Sequence, residues 1–224
     1  MNTTDYETLR LSLTAQLTGM ALIDERYIPV IKALRFAEEH HVGMRRCGKI
    51  RSFYHQLSIL GDAISEHKKL KFPFLVYISI LLHDTIEDYP ELAERLREEI
   101  PEGYEYSLRM SKIRHGVKRD PQEVADEQAN CIVCSVTKPL DRIHNQSTMI
   151  GVFELDKIEE QINETEKYIL PLIKKAKMKF PEQNAIYESM KSDLNMQIMY
   201  CRMYVEQGRK AKENEDKLKQ LSGA

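Results

Sequence analysis

Four side chains with metal-binding chemistry stand in three separate segments: His55, the adjacent pair His83-Asp84, and Asp141. The pair closes an apolar run, Leu81-Leu82-His83-Asp84-Thr85-Ile86-Glu87-Asp88, so ionisable groups crowd where the apolar stretch stops. Imidazole nitrogen combined with carboxylate oxygen suits a borderline-hard divalent ion such as Mn, Fe, Zn or Mg. Four protein ligands on a six-coordinate ion leave positions open for water and substrate, the arrangement metal-assisted hydrolysis uses. Structural readings stand beside this one. His83-Asp84 could be a helix C-cap, His55 a half-buried helix histidine, and Asp141 an N-cap after Pro139. Glu87 and Asp88 weigh against capping alone, because crowded carboxylates repel unless a cation offsets them.

Other residues extend the chemistry. Glu87 and Asp88 are placed to handle protons: a carboxylate beside an activated water can accept its proton and later protonate a leaving oxygen. Arg45 and Arg46 lie in a basic loop before His55, and a guanidinium can both stack on a purine and grip phosphate. Cys131 and Cys134 lack a second cysteine pair and sit in an apolar run, so they read as buried thiols.

The elements that must carry these groups read as helices. Glycine and proline are few, at nine and eight, and no long alternating segment appears. Leu9, Leu13, Leu17 and Met20 recur at helical spacing, which predicts an N-terminal amphipathic helix. A second helix is expected from about Arg26 to His41, a third from Phe53, and an apolar, central one from Phe74 to His83. Pro90–Glu99 reads as a short acidic helix, Ile100–Gly103 as a turn, Lys112–Pro121 as a basic mobile loop near the site, and Glu123–Val136 as a helix. Two long helices are expected at about 154–179 and 182–207, with a kink at Pro171. Residues Lys210–Ala224 are expected to fray. The methionine-bearing last helix is expected to pack on the core or on a second copy of the chain.

The segment Ala33–Gly48 with His55, the string Leu82-His83-Asp84-Thr85-Ile86-Glu87-Asp88, and Lys138-Pro139-Leu140-Asp141-Arg142-Ile143-His144-Asn145 together resemble the HD-type hydrolase domain of the Rel/SpoT alarmone enzymes, in particular their small hydrolase-only relatives. The resemblance covers roughly residues 5–175. It implies an all-α HD-domain bundle over residues 1–180, with residues 181–224 as a helix packed on it plus a tail. It implies a metal-dependent hydrolase that removes the 3′-pyrophosphate of guanosine tetra- or pentaphosphate, with His55, His83, Asp84 and Asp141 holding one ion, most simply Mn2+. Glu87 would take the proton and Asp88 would orient it. Arg45, Arg46, Lys138, Asn145 and Thr148 would seat the nucleotide. The chain departs from the family in having Arg46 for lysine, Ile50–Tyr54 for a Pro-Tyr step, and Gln56 for proline, which reshapes the rim of the pocket. A hydrolase of another phosphorylated nucleotide, or a nucleotide- or partner-binding helical module with little turnover, remain the alternatives.

Composition bounds the rest. A chain of 224 residues suffices for one sizeable core. Apolar residues are 42% and charged residues 30%, with a net charge of −2, so nothing points to nucleic acid or a membrane as partner. No apolar stretch reaches membrane-spanning length and no leader pattern opens the chain, so a cytoplasmic protein is expected.

Overall fold

A computed structural model describes residues 3–44, 51–114 and 116–222. The fold is all-α apart from one small hairpin. Helix α1 (Thr3–Ile23) packs on α2 (Ile28–His40) and α3 (Tyr54–Ser65). Helix α4 (Pro73–Leu82) is the central strut, and it touches α2, α3, a helix α7 (Pro101–Met110) and a helix α9 (Cys134–Ser147). Its sequence dictates this position. Pro73 stands where the first turn tolerates proline, and every residue from Val76 to Leu82 is buried. At roughly 1.5–3 kcal/mol for each large apolar side chain removed from water, α4 anchors the domain core.

Between these lie α5 (Thr85–Asp88), α6 (Ala93–Glu99) and α8 (Pro121–Ala129). Asp120 caps α8 by accepting from the N–H groups of Gln122 (2.8 Å) and Glu123 (3.1 Å). Helices α10 (Leu155–Glu164) and α11 (Leu170–Lys179) are joined by a π-helical turn at Thr165–Ile169, just before Pro171. Helix α12 (Asn184–Ser222) closes the body, packing on α9, α10 and α11. A second, smaller apolar cluster, with Met149, Ile158, Ile162 and Ile198, lies where α10 meets α12.

Four expectations are corrected. Ile100–Gly103 is not a turn, because α7 begins at Pro101 and runs through it. A Cβ on Gly103 would lie 2.4 Å from Leu82 Cδ1, so the glycine serves close helix packing against α4. Glu123–Val136 is not one helix. The Asn130 side chain donates to the Asp126 carbonyl at 2.9 Å and ends α8, and α9 starts afresh at Cys134. The basic segment forms a hairpin, β1 (Ile113–Arg114) with β2 (Val117–Lys118), paired antiparallel as Ile113↔Lys118 and Arg114↔Val117. Gly116, at φ 75°, supplies its left-handed turn residue. The tail is helical to Ser222, where Lys210–Glu206 and Lys219–Glu215 pairs, each at 2.6 Å, support an exposed helix. Cys131 and Cys134 are buried free thiols.

Candidate metal centre

Three helical elements deliver the cluster. His55 comes from the first turn of α3, His83 and Asp84 from the end of α4 and the step beyond, and Asp141 from the middle of α9. Two buried hydrogen bonds set α9 in place. Thr137 Oγ1 donates to Ser79 Oγ of α4 at 2.9 Å, and Ser135 meets the Tyr187 hydroxyl of α12 at 2.7 Å. Asp141 is therefore an interior residue of a fixed helix and not an N-cap. The turn after α4 is held from α7, where Ser107 Oγ accepts the Ile86 N–H at 3.1 Å.

His55, His83 and Asp84 each present a ligand atom, and these atoms lie within 4.8 Å of one another. Asp141 Oδ1 is 3.1 Å from His55 Nε2 and 3.7 Å from His83 Nε2, and Asp84 Oδ2 is 3.0 Å from His83 Nε2. Both imidazoles and Asp141 are buried. The His83 ring tests whether the donors suit a cation. Its Nδ1 lies 2.7 Å from the Ile80 carbonyl and so must be the protonated nitrogen. Among the described residues Nε2 is buried without a hydrogen-bond partner and faces two carboxylate oxygens, so in the neutral ring a lone pair would meet acceptors. A positive charge must stand among them, either a proton on Nε2 or a bound cation. The mixed imidazole and carboxylate set is of a kind that can hold a metal ion.

The electrostatics make the same demand. Burial opposes charge on His83, yet Asp84 and Asp141 hold its imidazole well above the usual range. Against the cost of burial, His83 brings Asp84 down to about 2, and Lys138 with the two histidines holds Asp141 well below the ordinary carboxylate range. Burial lowers His55.

A cavity of about 630 Å³ opens over His55 and Asp84, within the size range of small-molecule sites. Asn145 and Thr148 line it, as does Asp88. Glu87 does not. Its carboxylate accepts the backbone N–H of Lys112 at 2.7 Å and ties α5 to the hairpin. Lys138 is also turned away, its Nζ 2.7 Å from Asp141 Oδ2. Asn145 Nδ2 donates to Asp141 Oδ1 at 2.6 Å. Arg45 and Arg46 lie outside the described residues.

Sequence reasoning did not single out Tyr54, Lys112, His144 and Lys157, all of which line the cavity. His144 carries the clearest missed signal, because it stands three residues after Asp141 and so shares its helix face. Lys157 and the α10 wall carry none, since their place depends on how α10 folds back onto α9. Arg142 fixes that return by bonding to Gln161 and, at 3.1 Å, to Glu164.

Comparison of the chain with protein-family models, with curated proteins and with solved structures finds no match. Among the described residues no helix is long and apolar enough to cross a membrane.

Proposed function

We propose that this chain is an HD-type, metal-dependent phosphohydrolase that removes the 3′-pyrophosphate from guanosine tetra- or pentaphosphate. The observation that carries the reading is the convergence of His55, His83, Asp84 and Asp141 at one edge of a cavity that Asp88 also enters. These four side chains would hold the ion, most simply Mn2+. When bound, a divalent cation there supplies a Lewis acid for a phosphoryl oxygen and lowers the pKa of water.

The chain's own groups divide the remaining work. Asp88 faces the cavity, and desolvation together with Asp84 and Glu87 pushes its carboxyl up to about 6. A base of that strength can take the proton of an attacking water near neutral pH and return it to a leaving oxygen. Glu87 holds the hairpin through the Lys112 N–H, so its role is to position Lys112 at the cavity wall. Lys112 and Lys157 offer cationic partners for phosphate oxygens, and Asn145 and Thr148 offer hydrogen bonds at the sugar and phosphate end. Lys138 and Asn145 keep Asp141 ionised and oriented.

The test is a nucleotide panel assayed with Mn, with Mg and without metal. The guanosine 3′-pyrophosphates should release pyrophosphate with Mn, and Asp84→Ala should abolish release. Turnover confined to another phosphorylated nucleotide would overturn the substrate assignment. Absence of metal dependence would overturn the class.

A further inference from the structure

Helix α12 is apolar on two opposite faces. Met190, Leu194, Ile198, Cys201 and Val205 are buried against the body. Met196, Met199, Tyr200 and Met203 stay 48, 50, 56 and 50% exposed, with Tyr204 beside them at 37%. With 3.6 residues per turn, the first four of these fall within about 100° of arc, roughly opposite the buried stripe. A helix segment apolar on both sides is built to be covered on both sides. Single exposed apolar residues need no account, whereas a contiguous stripe does. The same helix also outruns its support. Arg209 ties it to the body by pairing with Asp156 at 2.9 Å and Glu159 at 2.7 Å, and residues 211–220 beyond it are all exposed. A bare helical arm of about ten residues is marginal in water.

We propose that a second copy of this chain covers this face, the two α12 helices lying antiparallel about a two-fold axis that passes between Cys201 and Arg202. The register follows from complementarity. It sets Tyr200 against the partner's Met203 and Met199 against the partner's Tyr204, so that thioether meets aromatic ring at each central position. It sets exposed Asp193 against the partner's Lys210, an opposite-charge pair that the symmetry makes twice. It lays the projecting arm along the first turns of the partner's helix, where Leu218, 66% exposed, meets the partner's Ala185 and Ala211 meets the partner's Ser192. Small residues there allow close approach. The patch is thus complementary to itself, as a two-fold interface requires.

The size is adequate. Five half-exposed large side chains offer on the order of 500 Å² per copy, and the arm brings the contact to about 800 Å², the usual area per partner in a specific complex. The buried face of each α12 looks away from its partner, so the two bodies stand on opposite sides of the helix pair.

The test is sedimentation equilibrium of the full chain over a range of concentrations, beside the double variant Tyr200→Lys with Met203→Lys. The wild type should reach twice the mass of the chain. The double variant should remain at one chain mass with unchanged helicity by circular dichroism. Mixed Tyr200→Cys and Met203→Cys chains should cross-link faster than either variant alone, above the background set by the native cysteines. A wild type of single-chain mass at every concentration, a double variant that still pairs, or faster cross-linking of Tyr200→Cys with itself would each overturn the proposal.

Discussion

The imidazoles of His55 and His144 meet nitrogen to nitrogen, Nδ1 to Nδ1 at 2.8 Å, with both rings buried. Two lone pairs cannot share that distance, so one proton lies between them. When it belongs to His55, the His55 Nε2 lone pair is free to face the cluster, and in the proposed metal site His144 is the acceptor that stands behind a ligating histidine. His144→Ala should therefore weaken Mn binding to the stripped protein by roughly 10–100-fold in calorimetric titration. His144→Asn, whose amide oxygen can still accept, should recover most of that loss. Equal affinity for wild type and the alanine variant would reduce the contact to packing.

Asp88 is exposed by area yet recessed in a cavity, and this explains its chemistry. Desolvation first, then the charges of Asp84 and Glu87, push it up to about 6. In the proposed reaction Asp88 is the base and works ionised, so the rate should climb about tenfold per pH unit below that value and level off above it. Asp88→Asn should remove this limb along with roughly a hundred- to ten-thousand-fold of the rate. Glu87→Gln should keep the limb and move its midpoint to lower pH, because one of the charges raising Asp88 is gone. A limb that survives unchanged in Asp88→Asn would assign the proton to another group.

His41 sets a pH dependence of stability. It is 2% exposed, packs edge-on to Tyr89 at 5.2 Å, and among the described residues neither ring nitrogen has a hydrogen-bond partner. Burial pushes it down to about 4 from 6.5. On acidification the unfolded chain takes up this proton first. The contribution of neutral His41 is thus fully present above pH 6.5 and is lost as pH falls toward 4, by roughly 3 kcal/mol. Urea unfolding of wild type and His41→Leu at neutral and acidic pH measures the difference. The variant should show the shallower slope, and parallel slopes would exclude His41 as the source.

What could be read from the chain beforehand follows a physical division. The cluster was legible because His83-Asp84 ends an apolar helix and Asp141 sits in a dense polar string, both signals local in sequence. The apolar Phe74–Leu82 run announced a central helix for the same reason. The α7 helix was not legible, because Gly103 and Pro101 carry the local signature of a turn and only the approach of Leu82 explains the glycine. Asn130 as a helix stop was likewise hidden, since asparagine ends a helix only where its side chain finds a carbonyl. The unequal placement of Glu87 and Asp88 was beyond reach, because it depends on a hairpin more than twenty residues away supplying the Lys112 N–H.

Gly103 connects the hidden part of the fold to the site. An alanine there would place its Cβ 2.4 Å from Leu82 Cδ1, 3.1 Å from Ile100 Cγ2 and 3.4 Å from Ile78 Cγ2. Helix propensity alone favours alanine over glycine by about 1 kcal/mol. Overpacking of a closely fitted core costs about 1–3 kcal/mol, and Leu82 is fully buried. The clash should win, so Gly103→Ala should lower stability by about 1 kcal/mol on denaturant unfolding. The strain also falls on the residue before His83 and on the helix whose Ser107 holds the Ile86 N–H. Mn affinity should therefore drop in the same variant, although Gly103 touches no ligand. Adding Leu82→Ala would clear the clash at the cost of a cavity, and the pair should lose less stability than the two single changes summed. A simple sum would show that α7 and the end of α4 move independently, and the coupling between the two helices would be refuted.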